Sequence, residues 1–197
     1  MAPLLAPLGF SRAAYTWNRL RFDRVDVVSL QSIGRPSPGI VSVALNVGIA
    51  VPRILRDLHG TYPVVWTEAH CLVSFRLGEE TASADHPRRE MLWWDVSDSS
   101  LPRVAAIVQR RLQDAALGWF SSVSSWEDLA ESFEAGSDWR STVPAIQVGR
   151  AMLLAAVGRV ESASALLSKL PADWARERQI VEKWIRRGKL DDESRIP

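Results

Sequence analysis

The 197-residue chain predicts an α+β fold: an antiparallel β-meander sheet packed by helices on one face, with a C-terminal α-helical extension. Three observations carry this. Apolar residues in the first half recur with the two-residue period of strands, whereas those after Leu101 follow the helical period. Short turns separate most of the strand-like runs, and consecutive runs joined that way pair antiparallel. Strand and helix signals are also segregated along the chain rather than alternating.

A first strand is expected over 15–22, then a turn at Asp23-Arg24 and a valine-rich second strand over 26–33. Residues 34–39 hold Pro36 and Pro38, which cannot donate to a ladder, so this stretch is a loop. A third strand is expected over 40–50 and a fourth over 70–77, with a short helix over 52–59 between them. In the second half, Ser100 stands as N-cap before Leu101-Pro102. Leu101, Val104, Val108, Leu112, Ala115 and Trp119 form a helical stripe behind it. Ser124-Ser125-Trp126-Glu127 is a capping-box pattern opening a helix that carries Leu129 and Phe133 and ends at Gly136. Further helices are expected over 146–157, 161–170 and 172–187, bounded by Pro144, Gly158, Pro171 and Gly188. The first two resemble one tetratricopeptide-type hairpin; a solenoid needs about three such units, so the pair packs on its own domain. The division expected is an α+β domain at 1–135, a helical extension at 140–188 and a flexible tail at 189–197.

With 24 basic and 23 acidic residues the net charge is +1, and no global field draws the chain to nucleic acid. Arg88-Arg89, Arg110-Arg111 and Arg186-Arg187 are isolated basic pairs and read as solvated surface. Lysine occurs only at Lys169, Lys183 and Lys189, a bias that points to a GC-rich bacterial genome. The single cysteine, Cys71, precludes an intramolecular disulfide and fits a reducing compartment. No run approaches the about 20 apolar residues that span a bilayer, and the start lacks the basic n-region of a secretory signal. A cytoplasmic location with no membrane partner is expected.

The stretch His70-Cys71-Leu72-Val73-Ser74-Phe75-Arg76-Leu77-Gly78 is the most informative. Read as a strand, it puts Cys71, Val73, Phe75 and Leu77 on an apolar face and His70, Leu72, Ser74 and Arg76 on the other. The second strand alternates Val28 and Leu30 with Ser29 and Gln31; the third alternates Val41, Val43, Leu45 and Val47 with Ser42, Ala44, Asn46 and Gly48. With the apolar sets turned to the helices, Ser29, Gln31, Ser42, Asn46, His70, Ser74 and Arg76 share the far face. Ala44 and Gly48 leave floor space among them. An imidazole, two carboxamides and a guanidinium suit an acidic or amide-bearing ligand, since arginine offers a planar donor fork. The plain reading beside it is the solvated face of an antiparallel sheet. Most of the nine tryptophans are core anchors. Trp93-Trp94 differs: neighbours in an extended segment cannot both face inward, so one should line a groove, cover an edge or meet a partner.

Catalytic signatures are missing from the sequence: no Walker pattern, GxGxxG, GxSxG or HExxH occurs. His70 and Cys71, adjacent on a strand, would point to opposite faces. Asp95 and Asp98 favour the following helix N-terminus rather than a metal. No catalytic residue, metal site or cofactor is therefore expected. The function expected is a non-enzymatic module binding a protein partner through Gln31, Asn46, His70, Arg76 and Trp93 or Trp94. An immunity or toxin-neutralising role is one concrete version, by analogy of type. The alternative is a small-molecule binder or an enzyme on the same face, with His70 as acid/base and Arg76 as anion anchor. Homo-oligomerisation through a sheet edge is a third option.

Leu8-Gly9-Phe10, Thr16-Trp17-Asn18-Arg19, Leu30-Gln31-Ser32, Val43-Ala44-Leu45-Asn46-Val47-Gly48 and His70 through Gly78, followed by Trp93-Trp94, resemble in order and spacing the family catalogued as domain of unknown function 4304. The resemblance covers roughly residues 4–135 and leaves the C-terminal helices outside; the chain departs from it in lacking lysines around Ser11 to Ala14. It implies a bacterial cytoplasmic α+β domain and supplies no catalytic residue.

Overall fold

The computed structural model describes residues 1–34, 39–77, 93–134 and 144–190 of the chain. Six strands form one antiparallel sheet: β1 (Ser11–Ala13), β2 (Thr16–Leu20), β3 (Val25–Gly34), β4 (Val41–Ala50), β5 (Val73–Arg76) and β6 (Trp94–Val96). The first five are neighbours in chain order, the expected meander. On its free edge β4 pairs with β5 along 46–49 and with β6 along 41–43, so two strands share one edge. The long valine-rich strands β3 and β4 lie where the two-residue period puts them. β1 and β6, three residues each, are too short for a period to register.

One face of this sheet carries Trp17, Val28, Leu45, Val47, Ile49 and Val73 into a core shared with Phe120, Trp126, Met152 and Trp184 from the helices. The helices are α1 (Ala2–Leu5), α2 (Pro52–His59), α3 (Leu101–Arg111), α4 (Gly118–Ser122), α5 (Trp126–Glu134), α6 (Pro144–Ala156), α7 (Val160–Ser168) and α8 (Ala175–Arg187). Proline at the first position opens α2, where its missing N–H costs nothing, and Gly60 closes it at φ +77°.

A π-type stretch, Leu112–Leu117, joins α3 to α4 and changes which residues face inward. Val104, Val108, Leu112, Ala116 and Phe120 are buried, Leu101 is 53% exposed, and Ala115 and Trp119 pack at the margin. A four-residue spacing drifts around a helix of about 3.6 residues per turn, and the wider turn takes up that drift. The expected stripe, drawn on an ideal helix, therefore fails beyond Leu112, and at its start Leu101 faces solvent.

Two caps differ from expectation. Ser100 stands at the N-cap of α3, but its Oγ accepts the Ser97 N–H at 2.8 Å instead of bonding forward into the helix. The box before α5 is Ser125 with Asp128, one residue on from the expected pair: Asp128 N–H donates to Ser125 Oγ and Ser125 N–H to Asp128 Oδ2, both at 3.0 Å.

Helix α6, apolar but for Gln147 and Arg150, is buried on nearly every side. It approaches the sheet at Gly149, where a Cβ would overlap Leu72 Cδ2. α7 and α8 pack on α6, so the C-terminal helices close the same core as the sheet. Leu190, within the stretch expected as the tail, is tied back by its N–H to the Ala156 carbonyl at 2.8 Å. Residues 191–197, Pro36, Pro38, Gly78, His86, Arg88-Arg89, Gly136, Trp139, the Phe133 side chain and the boundary between 135 and 140 lie outside the described residues. Among the described residues no helix is long and apolar enough to cross a membrane.

Candidate functional site: the polar face of the sheet

The register places Asn46 of β4 directly opposite Arg76 of β5 and Ser29 of β3. Gln31 lies opposite Ala44, whose methyl leaves room for the carboxamide to reach diagonally. The three long side chains close a hydrogen-bonded triangle. Arg76 Nε donates to Asn46 Oδ1 at 3.1 Å, and its terminal nitrogen donates to Gln31 Oε1 at 3.0 Å. Asn46 Nδ2 donates to the same Gln31 oxygen at 3.4 Å. Trp93 then lies over the guanidinium, 4.7 Å from carbon to ring centroid, a cation–π contact. Ser29, Asn46 and Ser74 are buried around this group, while Gln31, Arg76 and Trp93 are half-buried. Farther along the face Ser42 hydrogen-bonds Asp95, which is exposed and so is held on the sheet rather than at the start of α3.

Trp93 and Trp94 divide as neighbours in an extended segment must. Trp94 pairs with Val43 on the helix-facing side and packs against the core, leaving Trp93 to the polar side.

His70 does not join this face. The chain makes a 3-10 turn, Glu68–His70, and enters the sheet only at Val73. His70 Nδ1 accepts the Thr67 N–H at 3.0 Å and the ring meets Trp66 edge-on at 6.1 Å. Burial, followed by the nearby His59, lowers its pKa below the usual 6.5, against smaller opposing effects of Glu68 and Thr67. The bend at Leu72 also resets the face pattern. Leu72 enters the main core, while Cys71 packs with Val25, Val27, Ala50 and Leu55 on the side where Gly48 has no side chain. The Cys71 thiol donates to the Thr67 carbonyl at 3.5 Å. Strict alternation from residue 70 thus puts both Cys71 and Leu72 on the wrong face, because the chain leaves the turn at Cys71, bends at Leu72 and becomes a strand only at Val73.

A second charged cluster escaped the reading of basic pairs. Asp26, fully buried, faces Arg19 across β2 and β3 and receives Arg19 Nε at 2.8 Å and Arg21 Nε at 2.9 Å on one oxygen. Arg24 Nε stands 3.5 Å from the other oxygen. The signal was available as Arg19 and Arg21, two apart on one strand face, with Asp26 directly across the hairpin. Arg150 was missed as well: it is buried in α6 and donates from Nε to the Leu72 carbonyl at 2.8 Å, where the chain bends into the sheet.

No curated protein and no solved structure matches this chain. The family model described as "Domain of unknown function (DUF4304)" matches residues 1–122, which take in all six described strands and both tryptophans of the 93–94 pair. On that match, over more than half of its length, the chain belongs to the DUF4304 family.

Proposed function

We propose that the protein is a non-enzymatic binding module that engages a protein partner through the Gln31–Asn46–Arg76–Trp93 face, in a bacterial cytoplasm. The observation that carries this reading is the Arg76 guanidinium held between the Trp93 ring and two carboxamides. Arginine and tryptophan are the side chains that most often dominate interface energies. Here both are ordered before any partner arrives, which reduces the entropy lost on binding. The partner that suits the face presents a carboxylate or carboxamide to Arg76. His70, in its turn, plays no part in the contact.

The test is quantitative capture of tagged protein from the lysate of its own host. Wild type and His70→Ala should recover one stoichiometric partner; Arg76→Ala/Trp93→Ala, folded by circular dichroism, should lose it. Retention by the double variant, or the lack of any stoichiometric partner, refutes the reading.

A further inference from the structure

Two helices far apart in the sequence gather positive charge on one surface. α2 and α8 pack together, and between them they carry seven basic residues against three acidic ones, a net +4 where the whole chain carries +1. The solvent side of α2 holds Arg53, Arg56 and Asp57, opposite the buried Ile54, Leu55 and Leu58. On α8, Arg176, Lys183 and Arg187 follow one another at helical spacing along a single exposed stripe. Arg176 donates from a terminal nitrogen to the Leu58 carbonyl at 3.3 Å, and Arg187 Nη1 stands 3.9 Å from Asp57 Oδ2, so that stripe borders α2. We propose that the α2–α8 surface docks an acidic segment of a protein partner, whose carboxylates meet Arg53, Arg56 and Arg187 and the row along α8.

The cations exceed the anions that face them. Arg53 Nε and Arg56 Nε each lie 3.8 Å from Asp57 Oδ1, and Arg187 approaches the other oxygen. One carboxylate thus serves three guanidiniums, none of them close enough for a hydrogen bond. The acidic residues of α8 do not restore the balance. Glu182 pairs with Arg186 at 3.9 Å. Glu177 lies about 100° around the helix from Arg176, on the side of buried Val181 and Trp184.

Carboxylate is also the anion these arginines already take, from Asp57, and planar carboxylates match the guanidinium fork. Apolar surface adjoins the charge. Arg56 lies over the Tyr62 ring, 5.9 Å from its centroid; Tyr62 is 42% exposed, and Val64, two residues on, is fully exposed. A protein segment can cover both with apolar side chains. A sugar–phosphate backbone cannot, and the net charge of +1 gives no general attraction to nucleic acid. From Arg176 to Arg187 the stripe runs about 16 Å, the length of about five extended residues.

A fluorescein-labelled oligoglutamate of about ten residues should be titrated into the full chain by fluorescence anisotropy, beside an oligothymidylate of equal charge. The oligoglutamate is expected to bind with a Kd below about 100 μM at about 50 mM salt, and more tightly than the oligothymidylate. Arg53→Gln/Arg187→Gln, with the wild-type melting temperature, should weaken it by about tenfold or more. Arg103→Gln/Arg110→Gln, which removes the same charge from the exposed side of α3, should change it by less than about twofold. Asp57→Asn, which removes the competing carboxylate, should tighten it by about threefold, a gain that misfolding cannot mimic. Absence of oligoglutamate binding below about 100 μM, tighter binding of the oligothymidylate, equal losses in the two arginine pairs, or no gain in Asp57→Asn would each overturn the proposal.

Discussion

At His70 a neutral imidazole is required, because Nδ1 accepts the Thr67 N–H and a protonated ring has no acceptor. Its pKa is lowered from 6.5, first by burial and then by His59. The unfolded chain therefore takes up the proton at higher pH than the fold does. The stability that His70 contributes is complete above its ordinary value and is lost as pH falls through the lowered one. The urea midpoint of wild type should accordingly drop between about pH 7 and pH 5.5, above the main carboxylate range. His70→Asn, whose amide oxygen can replace Nδ1, should flatten that slope; an unchanged slope would remove His70 as its source. Gly48 supplies a second residue-scale prediction. A Cβ there would stand 2.7 Å from Cys71 Sγ and 2.8 Å from Ser74 Cβ. Gly48→Ala should destabilise by about 1–3 kcal/mol in denaturant unfolding. Residue by residue, Gln31, Asn46, Ser74 and Arg76 were legible because they sit within regular strands with fixed alternation. His70 was not, since nothing in His70-Cys71-Leu72 marks where a turn yields to a strand.

Among the elements, α5 depends most visibly on its cap. Asp128 Oδ2 accepts the Ser124 hydroxyl at 2.6 Å, the Ser124 N–H at 2.8 Å and the Ser125 N–H at 3.0 Å. The Ser124 hydrogen bonds lead in holding its carboxyl below the usual range. Asp128→Ala removes these acceptors and should cost about 0.5–2 kcal/mol by thermal or denaturant unfolding. A loss under a few tenths would mean that packing by Trp126 and Leu129 alone fixes the helix start. Sequence patterns located β3, β4 and the long helices, where periods run over enough residues to be read. They misjudged the α3–α4 rod because a π-type turn changes the period inside the element. They passed over β6 because its partner on β4 is supplied only by tertiary pairing.

In the whole molecule, the family-matched region and the C-terminal helices share one core. Val148, Met152, Leu153, Val181 and Trp184 pack in the same cluster as Val28 and Val47. A chain ending after Ser122 should therefore expose that apolar surface and lose cooperative unfolding. A sharp melting transition for the truncated chain would show that residues 1–122 fold alone. The proposed binding face lies on the side of the sheet away from this core, so substitutions there should change binding more than folding. The most direct measurement is the Kd of the purified captured partner for wild type, His70→Ala and Arg76→Ala. The account predicts that Arg76→Ala weakens binding by about 2 kcal/mol, roughly thirtyfold, with His70→Ala at wild-type affinity. Equal affinities for wild type and a folded Arg76→Ala protein would contradict it.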